Sequence, residues 1–397
     1  MNVYILTKAP FPEGMASTNR LKCVAKAFLS QGVNCKVVLF GKTDTHCKLT
    51  RKGVAEGIPY EFVGVGSRRW KGDVFGRFQS FLLMIETLFF LFVRLHKGDA
   101  VWGYLSEKPR YNSLLIDIIH LKGAKFVPDY CEAPYATSII TSDTERLMMK
   151  SVRTITQKYD GIMTISDNLT ELVRPYAKQK CVIEKVPIMV DFEKYTLPDR
   201  SAEAEIPYVF HSGTLSEQKD GILGMLEAFG IAINQYHLNI RFVSTGNLVG
   251  SRHEKEIREL VKKYDIADRV VFLGYVDVET LKDYLSKASL VIINKYRTLQ
   301  NKYCFSTKLG EYMAAGKPVI LTRVGEAMNW VQDGENAYVV EPENVAQLAQ
   351  TIARAFGNIE ECRRIGENGK RLSKNSFSYT AWGSKLVEMV RKMNESN

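Results

Sequence analysis

The sequence contains no Cys-x-x-Cys pair; its seven cysteines, at positions 23, 35, 47, 131, 181, 304 and 362, are scattered along a 397-residue chain. This spacing excludes a zinc ribbon and a thioredoxin-type redox site, and it points to reduced, unligated thiols in a cytosolic protein. A basic-then-apolar opening is also missing. The chain enters an apolar strand directly at Met1–Leu6, so no secretory leader is expected. Low-complexity tracts and repeats of roughly 20 to 50 residues are absent, which sets aside solenoids and disorder as the main architecture. Interleaved arginines and aromatics, finger spacings and basic helical runs are absent as well. Nucleic acid is therefore the weakest partner class for a chain of net charge +10 and pI near 9.1. An anionic bilayer, a phosphorylated small molecule or a merely basic surface is left.

Uncharged apolar runs are short. Phe78–Leu95 is cut by Glu86 into stretches well under the roughly 20 residues that a membrane span needs. It is expected to form a buried helix of the first domain. Peripheral contact with a bilayer is the alternative, because Arg68, Arg69, Trp70, Lys71 and Arg77 lie just upstream.

What the chain does have is a globular composition, 45% hydrophobic and 25% charged, over a length too great for one ordinary core. Two domains with a cleft between them are expected. In the first half the apolar strands Val3–Leu6, Lys36–Phe40, Ala100–Tyr104, Lys125–Val127 and Gly161–Ile165 alternate with helical patterns, the signature of a parallel, doubly wound α/β sheet. The pattern pauses between Pro187 and Pro207, where proline and charge accumulate, and resumes at Tyr208–His211. The expected divisions are a first domain over 1–190, a linker over 191–206, a second domain over 207–377 and a terminal helix over 378–397.

In open parallel sheets ligands collect beyond the carboxyl ends of the strands, and four loops qualify. The first, Lys8 to Arg20, lacks the Gly-x-Gly-x-x-Gly of dinucleotide sites, yet Gly14 lets a phosphate or sugar approach the backbone at a helix start. The second, His211 to Gly221, gathers Gly213, Thr214 and further hydroxyls, with Lys219 placed to neutralise a ligand phosphate. A third pairs Gly246 and Asn247 with Gly274 and Tyr275, offering backbone groups and a ring face to a nucleobase. The fourth, Phe305–Ile320, is the most informative. Ser306 or Thr307 caps a helix whose N–H groups and positive dipole end face an anion, and Gly316 with Pro318 ends it. Thr307 and Lys308 lie four and three residues before Glu311, on its face of the helix. A carboxylate beside a phosphate site is costly. Glu311 makes sense as the acceptor of hydrogen bonds from a vicinal diol such as a ribose, while the helix start and the lysines hold a diphosphate.

These residues resemble the large retaining family four of GT-B-fold glycosyltransferases. FSTKLGEYMAAGKPVI is similar to the family's EYMAxGKPVI block, and TRVGEAMNWVQDGENAYVVEPEN to the G…DG.NG.LV.P.D stretch that follows it. SGTLSEQKDGI resembles the donor loop, RVVFLGYV the V.FLG.V strand and turn, ISDNL with VPIMVDFEKY the end of the first domain, and GMASTNRL the acceptor-side loop. The resemblance covers most of both halves. It implies two Rossmann-like domains facing a central cleft, with the last helix crossing back to the first domain. It also implies transfer of a sugar, with retention, from a nucleotide-diphosphate donor, UDP- or GDP-linked, to a glycan or lipid-linked acceptor. No cofactor is implied beyond that co-substrate, and the setting is the cytoplasm or the inner face of its membrane. Glu311 corresponds to the second Glu of the family's two-Glu motif, which holds the ribose. Lys219 matches the donor-loop base, and Ser306, Thr307 and Lys308 match the positions facing the diphosphate.

The chain departs from the family pattern in three places. Tyr303 stands where the first Glu of the motif falls, eight residues before Glu311. Thr214 replaces a common Arg, and the stretch Pro128–Glu132 replaces a His, so that Asp129 or Glu132 is the catalytic candidate there. With no Asp-x-Asp, a divalent metal is not expected to be required, since Lys219, Lys308 and the helix start supply positive charge. The departures keep two alternatives open, a non-catalytic nucleotide-binding partner with the same fold and a sugar-nucleotide epimerase.

Overall fold

The computed structural model describes residues 1–40, 50–64, 73–103, 109–134 and 142–395. Cys47 and the basic run Arg68, Arg69, Trp70 and Lys71 lie outside the described residues. The chain forms two compact units, one made of Met1–Ala136, Ile140–Met189 and Tyr379–Asn397, the other of Val190–Ser378.

The first unit begins with β1 (Asn2–Thr7), α1 (Ala16–Ser30), β2 (Asn34–Leu39), β3 (Lys52–Ala55) and β4 (Ile58–Phe62). It continues through α2 (Asp73–Arg94), β5 (Ala100–Gly103), α3 (Pro109–Leu121), β6 (Lys125–Tyr130) and α4 (Ser142–Ile155) to β7 (Gly161–Thr164), α5 (Asp167–Val173) and β8 (Val182–Lys185). The strand order is β3-β4-β2-β1-β5-β6-β7-β8. Among the described residues only the β3–β4 pairing is antiparallel, a hairpin turned by Glu56 and Gly57 at φ 51° and 78°. The central strands β5 and β7 of the sheet are buried throughout because both faces are covered, whereas the edge strands β3 and β8 are partly open. Val3 and Ile5 pack against α1 on one side, and Leu6 and Val101 pack towards α2 and α3 on the other.

The apolar stretch Phe78–Leu95 forms most of α2, but it is not the buried helix expected from its composition. One face alone is buried, through Gln79, Leu83, Thr87 and Leu91, while Phe78, Phe81, Phe89 and Phe92 are exposed. An apolar composition all round the helix gave no sign of which side would meet the sheet.

The second unit contains α6 (Phe192–Tyr195), β9 (Tyr208–His211), α7 (Glu217–Asp220), α8 (Ile222–Tyr236), β10 (Arg241–Ser244), α9 (Glu254–Lys263) and β11 (Val270–Phe272). There follow α10 (Val278–Lys287), β12 (Leu290–Ile293), α11 (Leu299–Tyr303), α12 (Thr307–Ala314), β13 (Val319–Thr322), β14 (Tyr338–Val340), α13 (Val345–Gly357) and α14 (Ile359–Leu372). Its all-parallel sheet runs β11-β10-β9-β12-β13-β14. The proline- and charge-rich stretch after Met189 is folded onto this unit. Phe192 and Tyr195 are buried, and Lys317 Nζ donates to Asp199 Oδ1 at 2.7 Å. At the unit's two ends the Val190 N–H donates to the Phe377 carbonyl at 2.7 Å. The chain closes with α15 (Gly383–Glu395), whose Leu386, Met389, Val390 and Met393 complete the α1 side of the first unit's core.

In each sheet the strand order reverses beside one strand, β1 in the first and β9 in the second. The carboxyl ends of those strands open on the crevices where doubly wound sheets take ligands.

Candidate functional site

The site of the second unit starts at His211, the last residue of β9. Its Nδ1 lies 3.2 Å from the Ile292 carbonyl on the neighbouring strand β12. A carbonyl only accepts, so Nδ1 carries the hydrogen and Nε2 is left as an acceptor. That Nε2 is buried and has no hydrogen-bond partner among the described residues. Burial, reinforced by the charge of Lys308, pushes the His211 pKa down to about 4 and keeps the ring neutral.

The loop after β9 turns back at Gly213, whose N–H donates to Thr245 Oγ1 at 3.0 Å. A side chain here would place its Cβ 2.5 Å from Lys308 Nζ and 2.9 Å from His211 Nε2, so glycine keeps the pocket floor open. The short α7 is capped by Ser216 Oγ, which accepts from the Lys219 N–H, and it ends on Gly221 in the left-handed conformation (φ 59°). Asn294 Nδ2 donates to the Gly221 carbonyl at 2.9 Å and would crowd any Cβ there. This turn presents Asp220 inward. Its Oδ1 accepts from Lys308 Nζ at 2.6 Å and lies 3.6 Å from Lys295 Nζ, and its Oδ2 faces Thr214 Oγ1 at 3.4 Å. Burial favours the neutral acid, but the charges of Lys308 and Lys295 beside it hold the carboxyl well below the usual carboxylate range. Lys308 is lowered from the ordinary lysine value, burial outweighing the attraction of Asp220. Two ammonium groups thus share one carboxylate, which leaves a net positive charge.

Helix α12 adds to that charge. Ser306 occupies the N-cap position in an extended conformation, but its side chain accepts no capping bond, which corrects the expectation of a side-chain cap from Ser306 or Thr307. The Ser306 carbonyl accepts the Leu309 N–H at 3.1 Å, and with no side-chain cap the earlier N–H groups at the positive end of the helix are left to another acceptor. The helix is held in place by Tyr312, whose hydroxyl accepts the Ser212 N–H at 2.7 Å and lies 2.8 Å from Ser212 Oγ. Phe305, packed edge-on against Phe377, anchors its start. Glu311, half-buried, sits one turn beyond Lys308. Tyr303 is buried on α11.

The structure brings several expected residues together. Asn247 Oδ1 accepts the Tyr275 N–H at 3.1 Å, joining the two loops of the third candidate, and the Tyr275 ring is 88% exposed. Gly246 backs onto Leu215 of the second loop, where a Cβ would lie 2.3 Å from Leu215 Cγ. Lys219 itself is exposed, and its backbone carbonyl, rather than its ammonium, enters the cluster by accepting from Lys295 Nζ. Sequence reasoning missed His211, Asp220, Lys295 and Tyr312. Lys295 was within reach of it, since it follows β12 beside the strand-order reversal.

The first-unit candidates are placed differently. Asp129 commits both carboxylate oxygens to Arg20, Oδ2 to Nε at 2.8 Å and Oδ1 to Nη2 at 3.0 Å, in a pair closed to solvent. Arg20 also donates to the carbonyls of Pro187 and Val186 at 2.7 and 3.2 Å. Asp129 is thus a buried clamp on the segment after β8, which corrects its reading as a catalytic group. Glu132 is exposed beyond β6. At Gly14 a Cβ would fall 2.1 Å from Thr18 Oγ1, so tight packing on α1 accounts for the glycine. Among the described residues no three His, Cys, Asp or Glu side chains are grouped to hold a metal ion.

Residues 197–372 match the family model described as glycosyl transferases group 1. An uncharacterized glycosyltransferase of Methanocaldococcus jannaschii is 30% identical over 41% of this chain and 42% of its own length. The alpha-1,3/1,6-mannosyltransferase ALG2 of Dictyostelium discoideum is 28% identical over 38% of this chain and 34% of its own. The chain thus spans less than half the length of these two curated relatives. Among solved structures, the sucrose-phosphate synthase of Thermosynechococcus elongatus superimposes with a TM-score of 0.75 at 17% identity, covering 100% of both chains. Anabaena HepE in complex with UDP and glucose superimposes with a TM-score of 0.73 at 16% identity, covering 98% of this chain and 99% of its own. At such identities the likeness establishes the architecture, which is GT-B.

Proposed function

We propose that this chain, which belongs to the GT-B-fold glycosyl transferases group 1, moves a sugar from a nucleotide-diphosphate donor to a glycan or lipid-linked acceptor with retention of anomeric configuration. The observation that carries the reading is the convergence of Lys308, Lys295 and the start of α12, which has no side-chain cap, on one open glycine floor, with the Glu311 carboxylate one turn further on. The lysines and the helix start stabilise the departing diphosphate, the largest charge developed in the reaction. Glu311 accepts from the ribose hydroxyls, and the exposed ring of Tyr275 offers a face to the base. The C–O bond to the diphosphate breaks, the acceptor hydroxyl forms a new bond on the same face, and its proton passes to the leaving phosphate oxygen. The positive groups are protein side chains and backbone, so the reaction runs without a divalent metal. UDP- and GDP-sugars are the donor candidates, and the UDP and UDP-glucose complexes of the Anabaena protein support UDP as the first trial. The seven scattered cysteines, suited to a reducing compartment, support the cytoplasm or the inner face of its membrane as the setting.

Buried Tyr303, standing where an acidic residue is common, favours a second reading, a nucleotide binder without turnover. One experiment separates the two. Purified protein is heated with UDP-, GDP-, ADP- and TDP-sugars in the presence of a chelator, and bound donors are then incubated with acceptors while the anomeric configuration of the product is followed by NMR. Stabilisation with a retained product supports transfer. An inverted product overturns the mechanism, and binding without transfer or hydrolysis supports the second reading.

A further inference from the structure

Helix α2 carries a stripe of large apolar side chains on its solvent side. The face packed on the first unit holds two polar residues, Gln79 and Thr87, beside Leu83 and Leu91. The opposite face presents Phe75, Phe78, Phe81, Ile85, Phe89 and Phe92 at spacings of three or four residues, each 46 to 68% exposed. At 1.5 Å per residue this stripe runs for about 25 Å, and so large a contiguous apolar patch on a soluble surface marks an interaction site.

Its surroundings indicate the partner. Arg77 and Arg94 stand exposed near the two ends of the stripe, Arg94 with Nη2 3.7 Å from Glu61 Oε1, and Lys122 Nζ lies 4.7 Å from the centroid of the Phe92 ring. Leu121, 69% exposed at the end of α3, extends the apolar surface. Between the two arginines the one acidic residue is Glu86, and its carboxylate is turned towards Gly64, where a Cβ would lie 2.5 Å from Oε2. An apolar stripe with cationic ends, its own Glu86 turned aside and Glu61 largely buried beside the exposed Arg94, complements an acyl layer beneath anionic headgroups. Two copies of the same face would set like charges against each other.

We infer that α2 docks the protein on an anionic lipid bilayer, lying in the plane of the interface. The phenylalanines enter the acyl boundary, and Arg77, Arg94 and Lys122 meet lipid phosphates. By length and composition Phe75–Arg94 is also sufficient to cross a membrane. Crossing would pull Leu91 and Leu95, both fully buried, out of the core, whereas docking leaves that packing intact. This inference concerns the first unit and does not depend on sugar transfer.

The test is co-sedimentation of the full chain with vesicles of phosphatidylcholine alone and of phosphatidylcholine with an equal part of phosphatidylglycerol. Wild type should bind the anionic vesicles and bind them less as salt rises, and Phe81→Ser with Phe89→Ser should weaken that binding about tenfold or more. Both substitutions fall on exposed positions, and an unchanged circular dichroism spectrum and thermal midpoint verify the fold. Wild type that stays in the supernatant with both vesicles overturns the inference, as does a double variant that binds as well as wild type. A dimer lost in the variant, without vesicle binding, also overturns it and assigns the face to a second copy. Donor-induced stabilisation, measured on the same samples, bears only on the transfer reading.

Discussion

Lys308 and Asp220, 88 residues apart in sequence, meet at 2.6 Å and draw Lys295 to within 3.6 Å of the same carboxylate oxygen. The aspartate holds together two cations that would otherwise repel. Removing one partner of a buried pair leaves its charge uncompensated, which costs about 3 kcal/mol or more. Asp220→Leu should therefore lower unfolding free energy in urea by that order. Asp220→Leu combined with Lys308→Met should recover part of the loss yet fail to bind nucleotide. Equal stability of wild type and the single variant would contradict this arrangement.

Glu311 is expected to act on the ligand rather than on the fold. Glu311→Gln should keep the thermal midpoint of the free protein, because substitutions at half-open helix positions usually cost within about 0.5 kcal/mol. It should raise the donor Kd roughly tenfold or more, the loss expected for hydrogen bonds to a charged acceptor. Isothermal titration of both forms measures this directly.

For Asp129 the expectation is reversed. The carboxylate and Arg20 form a buried clamp, so Asp129→Ala should destabilise the first unit by about 3 to 5 kcal/mol, seen as an early transition in chemical unfolding. Full stability with abolished turnover would restore the residue to the chemistry.

The neutral His211 makes stability depend on pH. Below its ordinary pKa of 6.5 the unfolded chain takes up a proton at this position, while the folded protein does not until about pH 4. Proton binding to the unfolded state then grows as pH falls, so stability is lost progressively from pH 6.5 to 4, by roughly 3 kcal/mol from this group. His211→Asn, which retains a donor for the Ile292 carbonyl, should flatten that part of the pH profile measured by thermal unfolding.

The α/β architecture was legible because its strands are short apolar runs separated by helix-length amphipathic segments, and β9 matches the expected Tyr208–His211 residue for residue. The hairpin of β3 and β4 was not. Lys52–Ala55 has half-exposed, alternating character and pairs only along one edge. At the site, local signals gave the α12 block and the glycines. They could not give Asp220 as the partner of Lys308, because that contact arises from the pairing of β9 with β12. Nor could they show that Asp129 is closed off by Arg20, since a carboxylate near a strand end reads the same whether it faces solvent or an arginine 109 residues away.

The hydrogen bond from the Val190 N–H to the Phe377 carbonyl, with Val190 and Ser378 paired as a parallel bridge, closes the second unit at its ends. A segment whose termini already touch can be spliced into or out of a host chain at little cost in loop entropy. Val190–Ser378 therefore has the form of an exchangeable cassette, one that recombination could swap whole between related genes by matching two adjoining seams.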